Sequence, residues 1–580
     1  MATKLELTWY GKEERVAIEP RILIENKELS NIEHDVDTEN MLIHGDNLLA
    51  LKALENTHAG KIKCIYIDPP YNTGSAFEHY DDNLEHSIWL SLMRERLVLL
   101  KKLLKNDGAI CVQIDANELA HLKVLMDEIF GRRNFINIIV AKAKIAGVSG
   151  SNLGKSLQDN IEFILMYSKD ISEFVLNVIP VKKQELMEYI EDYKLKGKSW
   201  KYTTVLKSID HGTYIKSFRA GNGDEIKLYK HDYVEMCSIN QIAKEEFNGN
   251  VKKAYYSYID KVLRTTNAQT SIRTKVIEET KNIDSNGIFS IEYIPIKGKN
   301  AGKLIRSYYK DNNLIAWLKD VVEIENNAIY KLDTTGNLWD DIQYNNLTKE
   351  GNIQFPNGKK PEELVSRIID MLSEPGDIVL DSFLGSGTTC AVAHKMNRKW
   401  IGVEMGEHAY THCKVRLDNV VQNDDNGGVT KKYSFNGGGG YRFYEVAPTL
   451  IKEDDFGQEI INPEYNKEML SAAVALHEGY QYAPDDECYW KQAKNNNSYL
   501  YVTTQHIKRE HIERIKLDIK EGEFLLVVCK SFESNCIQGE KNIIVKKIPQ
   551  SLLKNCEFNK DNYNLNIINP PLYEEEEDDE

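Results

Sequence analysis

Residues 377–404 read DIVLDSFLGSGTTCAVAHKMNRKWIGVE, and this stretch sets the fold class. Ile378–Leu380 is a short apolar run, predicted as a buried strand that ends at Asp381, and Gly385 and Gly387 then punctuate a turn into a helix beginning near Thr388. Glycines at such a turn let a ligand approach the backbone. A second apolar run, Trp400 to Val403, ends in Glu404, where a carboxylate can accept from both hydroxyls of a ribose. Strand, glycine turn, helix and acidic strand end predict a parallel α/β sheet, with a nucleoside cofactor at the turn as the functional reading and a plain strand-to-helix connection as the bland one. A phosphate-gripping P-loop is disfavoured, because Thr388 and Thr389 follow the glycine where that motif needs a lysine.

The same grammar occupies residues 41–74, MLIHGDNLLALKALENTHAGKIKCIYIDPPYNTG. It reads as a strand over Met41 to His44, a helix over Leu48 to Leu54 and a buried strand over Lys63 to Ile67. An amphipathic helix from Ile88 to Leu104 follows, with Leu90, Met93, Leu97, Leu100 and Leu104 on one stripe, then strands at Ala109 to Ile114 and Ile161 to Tyr167. After the buried strand comes Asp68-Pro69-Pro70-Tyr71. Two prolines end the strand and hold the backbone rigidly, so acceptors can be aimed at one atom. Asp68 and the Pro69 carbonyl could draw both hydrogens of an amino group out of conjugation, with Tyr71 stacked on the attached ring. An edge turn with a buried tyrosine is the alternative for the tetrapeptide alone.

The 580 residues (66.6 kDa) are enough for three or four domains, and 42% hydrophobic with 28% charged residues is ordinary globular composition. No apolar run approaches a membrane span, and the opening MATKLELTWYGKEERV has no apolar signal core, so a cytoplasmic enzyme is expected. The nine cysteines contain no CxxC pair and read as reduced core residues, and His79, His86, His211 and His412 show no metal-ligand spacing, so no metal is expected. The net charge of -16 hides an asymmetry: residues 131–310 hold 30 Lys and Arg against 20 Asp and Glu, within a chain of 73 against 89. Residues 171–345 also break the α/β pattern into short segments rich in Tyr, Lys, Asn and Gly. The pattern resumes where Lys360-Pro361 opens a helix to Leu372. The expected organisation is therefore an N-terminal extension (1–35), a first core half (36–170), an insert (171–345), a second core half (346–430), a flexible hinge at Gly437 to Gly440, a small α/β domain (431–573) and an acidic tail (574–580).

Together these pieces resemble the amino-methylating DNA methyltransferases, in particular the modification subunits of type III restriction-modification systems. The resemblance spans LTWYGKEERVAIEPRILIE, IHGDNLLALKALE, IYIDPPYNTGSAFEHYDDNLEHSIWLSLMRERL, KKPEELVSRII, DSFLGSGTT and GGGGYRFYE. It implies a permuted, beta-class, Rossmann-like sheet with an inserted target-recognition domain and a small C-terminal α/β domain. The implied activity is transfer of a methyl group from S-adenosylmethionine to the 6-amino group of a flipped adenine in duplex DNA, since Asp at the first DPPY position leans toward adenine. Carried over, Asp68, Pro69, Pro70 and Tyr71 are catalytic. Asp381, Phe383, Gly385, Gly387 and Thr388 line the cofactor, Glu404 holds its ribose, Asp46 lies near its adenine, and Lys360 with Pro361 lies beside its methionine end. Ser382 stands where many relatives have Pro. A helix cap at Asp46 and a solvated lysine at 360 are the plainer alternatives.

In the insert, Lys201, Lys207, Lys216, Arg219, Lys252, Lys253, Arg264, Arg273 and Arg306, interleaved with tyrosines, are the candidate DNA contacts. The resemblance further implies a homodimer and a restriction partner carrying nuclease and helicase functions. Competing readings are an orphan adenine methyltransferase, an inactive DNA-binding specificity subunit, a nicotinamide-dependent oxidoreductase, and methylation of RNA or of a protein glutamine.

Overall fold

The computed structural model describes residues 6–13, 17–71, 86–143, 160–177, 180–219, 225–268, 270–283, 287–295, 302–334, 336–344, 347–355 and 358–548. The acidic tail lies outside these residues. The chain divides into two compact units, Met1–Asn177 with Gly336–Glu580, and Val178–Thr335. The insert predicted at 171–345 is therefore shorter at both ends, because Asn177 is hydrogen-bonded to the Met371 carbonyl and Leu338–Trp339 already pairs with a strand of the first unit.

The first unit is organised by a ten-stranded sheet: β1 (Leu23–Glu25), β2 (Met41–His44), β3 (Ile62–Ile67), β4 (Leu104–Ile114), β5 (Phe135–Lys142), β6 (Ile161–Ser168), β7 (Leu338–Trp339), β8 (Ile378–Asp381), β9 (Lys399–Glu404) and β10 (Arg442–Val446). Their spatial order is β1-β10-β2-β9-β8-β3-β4-β6-β5-β7. Strands β10, β2, β9, β8, β3 and β4 are mutually parallel, while β6 runs antiparallel to both its neighbours and β1 is antiparallel to β10. The near-continuous apolar runs of β3, β8 and β9 follow from burial on both faces of a parallel sheet. The helices α1 (Asn47–His58), α2 (His86–Leu103), α3 (Ala116–Met126), α4 (Glu362–Leu372), α5 (Thr388–Lys395) and α6 (Val415–Val421) cover it. Leu49, Leu54, Trp89, Met93, Leu97 and Leu100 of α1 and α2 share one core with Ile65, Ile67, Leu380 and Ile401 of the sheet.

Two expected boundaries are corrected. The described residues of the expected 1–35 extension are not separate from the core: β1 forms a sheet edge, and the Glu19 carboxylate accepts from the Leu450 N–H at 2.8 Å. The core continues past residue 430 into β10. The glycine run is a packed connection, not a flexible hinge. His394 Nε2 contacts the Gly438 carbonyl at 2.8 Å, Thr38 Oγ1 and Asn40 Nδ2 donate to the Gly440 carbonyl at 2.8 and 2.9 Å, and a Cβ on Gly440 would lie 2.6 Å from the Asn31 carbonyl oxygen. Glycine is required there for close approach. Beyond β10, strands from Gln481 to Lys547 form a five-stranded sheet with helices Lys467–His477 and Arg509–Lys516.

The second unit holds an eight-stranded antiparallel sheet, running from Val234–Ser238 at one edge to Thr213–Arg219 at the other. It also contains a three-stranded sheet of Pro180–Glu185, Val322–Glu325 and Ala328–Thr334. Among the described residues no helix is long and apolar enough to cross a membrane.

Candidate active site

Strand order reverses between β8 and β3, since β8 leads through α5 to β9 on one side and β3 leads through α2 to β4 on the other. Ligands of open α/β sheets bind in the crevice at such a point, outside the carboxyl ends of the strands. Both singled-out motifs start there: Asp68 follows β3, and Asp381 ends its neighbour β8.

Asp68 is half-buried in a cluster that joins three distant parts of the sequence. Tyr71 Oη donates to Asp68 Oδ1 at 2.6 Å and lies 3.3 Å from Glu162 Oε2 on β6. Lys360 Nζ is 2.8 Å from Tyr71 Oη and 3.2 Å from both Asp68 Oδ2 and Glu162 Oε2, and stands 4.9 Å from the centroid of the Tyr71 ring. Gln113 Nε2 also donates to Glu162, and Tyr66 Oη donates to Gln113 Oε1 at 2.5 Å. Trp89 on α2 fixes the turn itself, its Nε1 donating to the Pro70 carbonyl at 2.8 Å.

Burial pushes the Asp68 carboxyl up to about 6, Lys360 opposing that rise and Glu162 adding to it. Burial alone would raise Glu162 as well, but Lys360 and the hydrogen bonds from Gln113, Lys360 and Tyr71 hold it below the usual carboxylate range. Burial would lower Lys360, yet Asp68 and Glu162 hold its ammonium above the ordinary lysine value. Lys360 is thus a buried counter-ion, not a solvated helix-start lysine, with 10% of its side chain exposed.

At the glycine turn, the buried Asp381 accepts from Thr389 Oγ1 at 2.6 Å and the Phe383 N–H at 2.9 Å, and burial pushes its carboxyl up to about 7. Glu404 Oε2 accepts the Gly385 N–H at 2.7 Å; its Oε1 accepts from Met405 and Gly406 N–H at 2.8 and 3.0 Å and meets His408 Nε2 at 2.8 Å. The two glycines differ. A Cβ on Gly385 (φ +56°) would meet nothing within 4 Å, whereas one on Gly387 (φ +78°) would lie 3.2 Å from Cys413 Cα. Gly385 therefore faces open space and Gly387 serves packing. Thr388 is turned to the interior, accepting from Arg416 Nη1 at 2.6 Å. Phe383 is partly buried against the core, Pro361 precedes α4, and Asp46 caps α1 through the Leu48 and Leu49 N–H groups, with Arg96 Nη2 3.5 Å from its other oxygen. The buried hydroxyl of Ser382 has no partner among the described residues.

Behind this turn lies a second buried ionic group. Lys395 Nζ contacts Glu362 at 2.8 Å and Asp425 at 2.5 Å, while Arg416 Nη2 contacts Glu362 Oε1 at 2.7 Å. All four are essentially without solvent exposure.

Residues 62–414 match the family model for DNA methylases. The chain belongs to the DNA methylase family. Over 413 residues this methylase is 49% identical to the "Probable type III restriction-modification enzyme HindVI Mod subunit" of Haemophilus influenzae, covering 71% of this chain and 54% of that protein. It is 27% identical over 454 residues to the EcoP15I Mod subunit of Escherichia coli, and 25% over 464 residues to the StyLTI Mod subunit of Salmonella typhimurium. Those matches cover 71% and 74% of this chain and 64% and 59% of the relatives. The methylase thus spans little more than half the length of these curated relatives.

Glu162 and Gln113 are the site residues that sequence reasoning missed. The available signal was a polar side chain inside an otherwise apolar strand, as in IEFILMY and ICVQI.

Proposed function

We propose that this methylase, a cytoplasmic protein, transfers a methyl group from S-adenosylmethionine to the 6-amino group of adenine in duplex DNA, as the modification and specificity subunit of a type III restriction-modification system. The observation that carries the reading is the placement of the Asp68-Pro69-Pro70-Tyr71 turn and the Asp381-to-Gly387 turn at the ends of adjacent parallel strands.

The cofactor, when bound, supplies a methyl group already activated by a sulfonium. The residues present fit it: Gly385 leaves open space, Ser382 Oγ lacks a partner among the described residues, and the carboxylates of Asp381 and Glu404 suit a cationic ribonucleoside. Asp381, Phe383, Gly385 and Glu404 would hold it, with Asp46 toward its adenine and Lys360 and Pro361 toward its methionine carboxylate. Gly387 and Thr388 would support the turn from behind. The chain's own contribution is mainly positioning. A duplex buries the target amine, so the base must be flipped out at a cost of about a few kcal/mol, offset by stacking on Tyr71 and by hydrogen bonds to Asp68 and the Pro69 carbonyl. Both Asp68 oxygens are engaged, one by Tyr71 and one by Lys360, so the amine has to displace one of them. Lys360 is the partner able to leave, because Glu162 remains as its acceptor. Above about pH 6 Asp68 is ionised, and its charge then favours the positive charge arriving at the amine.

The second unit would select the sequence. Lys201, Arg219 and Lys253 are exposed there, and Lys201 lines a cavity of about 490 Å³ with Trp200, Arg264 and Lys310. Arg264 lies over the Tyr202 ring at 5.1 Å and its Nε is buried without a partner among the described residues. Basic groups beside an aromatic floor are what phosphate and base contacts need. Lys207, Lys216, Lys252, Arg273 and Arg306 are engaged within the unit, with Glu246, Glu279, Glu185, the Asn312 carbonyl and the His211 carbonyl. They would contact DNA only by exchanging those partners. A homodimer and a nuclease-helicase partner belong to the same reading.

Incubation of the full chain with methyl-labelled cofactor and mixed-sequence duplex DNA should label adenine alone. Label in cytosine, or none, refutes the reading.

A further inference from the structure

Apart from the Asp68 cluster, three ligating side chains converge where α2 and α3 begin. His86 opens α2, and Glu118 and His121 lie three residues apart on α3, on one helix face. The sequence separates His86 from this pair by more than thirty positions and so shows no ligand spacing. In the fold, one Glu118 oxygen is hydrogen-bonded to His86 Nδ1 and the other lies 3.1 Å from His121 Nδ1. The ligand atoms all lie within 4.8 Å of one another, and the imidazole centroids are 5.0 Å apart. Glu118 has 0% side-chain exposure, whereas His86 and His121 are 50% and 40% exposed.

We propose that His86, Glu118 and His121 form a site for one divalent cation of the Zn(II), Co(II) or Ni(II) class. Two imidazole nitrogens and one carboxylate oxygen suit these borderline ions, while Mg(II) and Ca(II) favour oxygen alone. A tetrahedral ion with ligands at about 2.1 Å needs ligand atoms roughly 3.4 Å apart. The Glu118 to His121 distance is already close to that. His86 reaches it by side-chain rotation, since half of its side chain is in solvent. The exposed sides of the two rings leave room for water as a further ligand. The ion would tie the first turn of α2 to α3. Three residues after His86, α2 presents Trp89, whose Nε1 holds the Pro70 carbonyl, so the site braces the DPPY turn from behind.

The test uses the full chain, stripped with chelator and titrated with cobalt(II) chloride. Visible absorption reports coordination, and elemental analysis reports the ratio of metal to protein. One equivalent should bind, zinc should displace it, and His86→Ala, His121→Ala and Glu118→Gln should each weaken binding by more than about tenfold, the lower end of what outer-shell changes cost. His412→Ala is the control and should bind as the unaltered chain does. Circular dichroism of the metal-free variants checks folding, and His121→Asn replaces His121→Ala if the latter unfolds. Absence of cobalt binding at micromolar metal, or binding that survives all three ligand substitutions, would leave only a hydrogen-bonded His-Glu-His group and overturn the proposal.

Discussion

Glu162→Gln removes one negative charge from the Asp68 cluster while nearly keeping the side chain's shape. Asp68 sits at about 6 because burial raises it, Lys360 lowers it and Glu162 raises it again. Tyr71 Oη bridges the two carboxylates, 2.6 Å from one and 3.3 Å from the other. Their oxygens are thus at most about 6 Å apart, and at that distance an effective dielectric of about 20 gives roughly 3 kcal/mol of repulsion, equivalent to about two pH units. In the proposed mechanism methylation needs ionised Asp68 as acceptor, so the acid limb of the single-turnover rate should lie near pH 6 in the unaltered chain and fall by about one to two pH units in the variant. Lys360→Met removes the opposite charge and should move the limb upward, by about one to three pH units. The assay is rapid-quench transfer from saturating labelled cofactor to saturating DNA across about pH 4 to 9. The limb position is the readout. Plateau height is a separate quantity, since Glu162→Gln also leaves Lys360 only a neutral amide oxygen as its alternative acceptor. A limb that stays in place in Glu162→Gln, or shifts in the same direction in both variants, would refute the electrostatic account of the cluster.

Three other substitutions probe the support of the site. Lys395→Met leaves Glu362 and Asp425 buried without their shared counter-ion and should cost about 3–5 kcal/mol in urea unfolding; a loss below about 1 kcal/mol would mean that Arg416 suffices. In Asp381, burial sets the folded value near 7, above that of the unfolded chain, so the folded state binds the proton more tightly and the wild type gains stability as pH falls through 7. Asp381→Asn should lack that gain, and the wild-type-minus-variant stability measured at pH 8 and at pH 5.5 must therefore increase on acidification. Trp89→Phe strands the Pro70 carbonyl at a cost of about 1–3 kcal/mol. It should lower turnover with cofactor affinity within about tenfold, which calorimetry can check.

Much of the catalytic framework was legible locally. Met41–His44 is the strand expected, Ile62–Ile67 and Ile378–Asp381 differ from expectation by one residue at an end, and the helix after Pro361 ends at Leu372 as predicted. These elements carry their own signals, apolar runs closed by Gly, Pro or Asp, so neighbouring residues suffice to read them. The edge strands were not legible: Leu23–Glu25 is too short for a pattern, and Arg442–Val446 follows a glycine run that reads as a hinge when its packing partners are unseen.

The sequence by itself determined the α/β class, the permuted order of the two motifs and the candidate acceptors Asp68 and Pro69, because each rests on a contiguous string whose conformation is set by sterics and hydrophobic period. Only the tertiary structure decided which charges those acceptors meet. Lys360 lies nearly three hundred residues from Asp68 and Glu162 nearly a hundred, and Glu362, Lys395, Arg416 and Asp425 come from a loop and three helices. A side chain's ionisation depends on distance and burial, not on separation along the chain, and strand pairing across the sheet is what sets both.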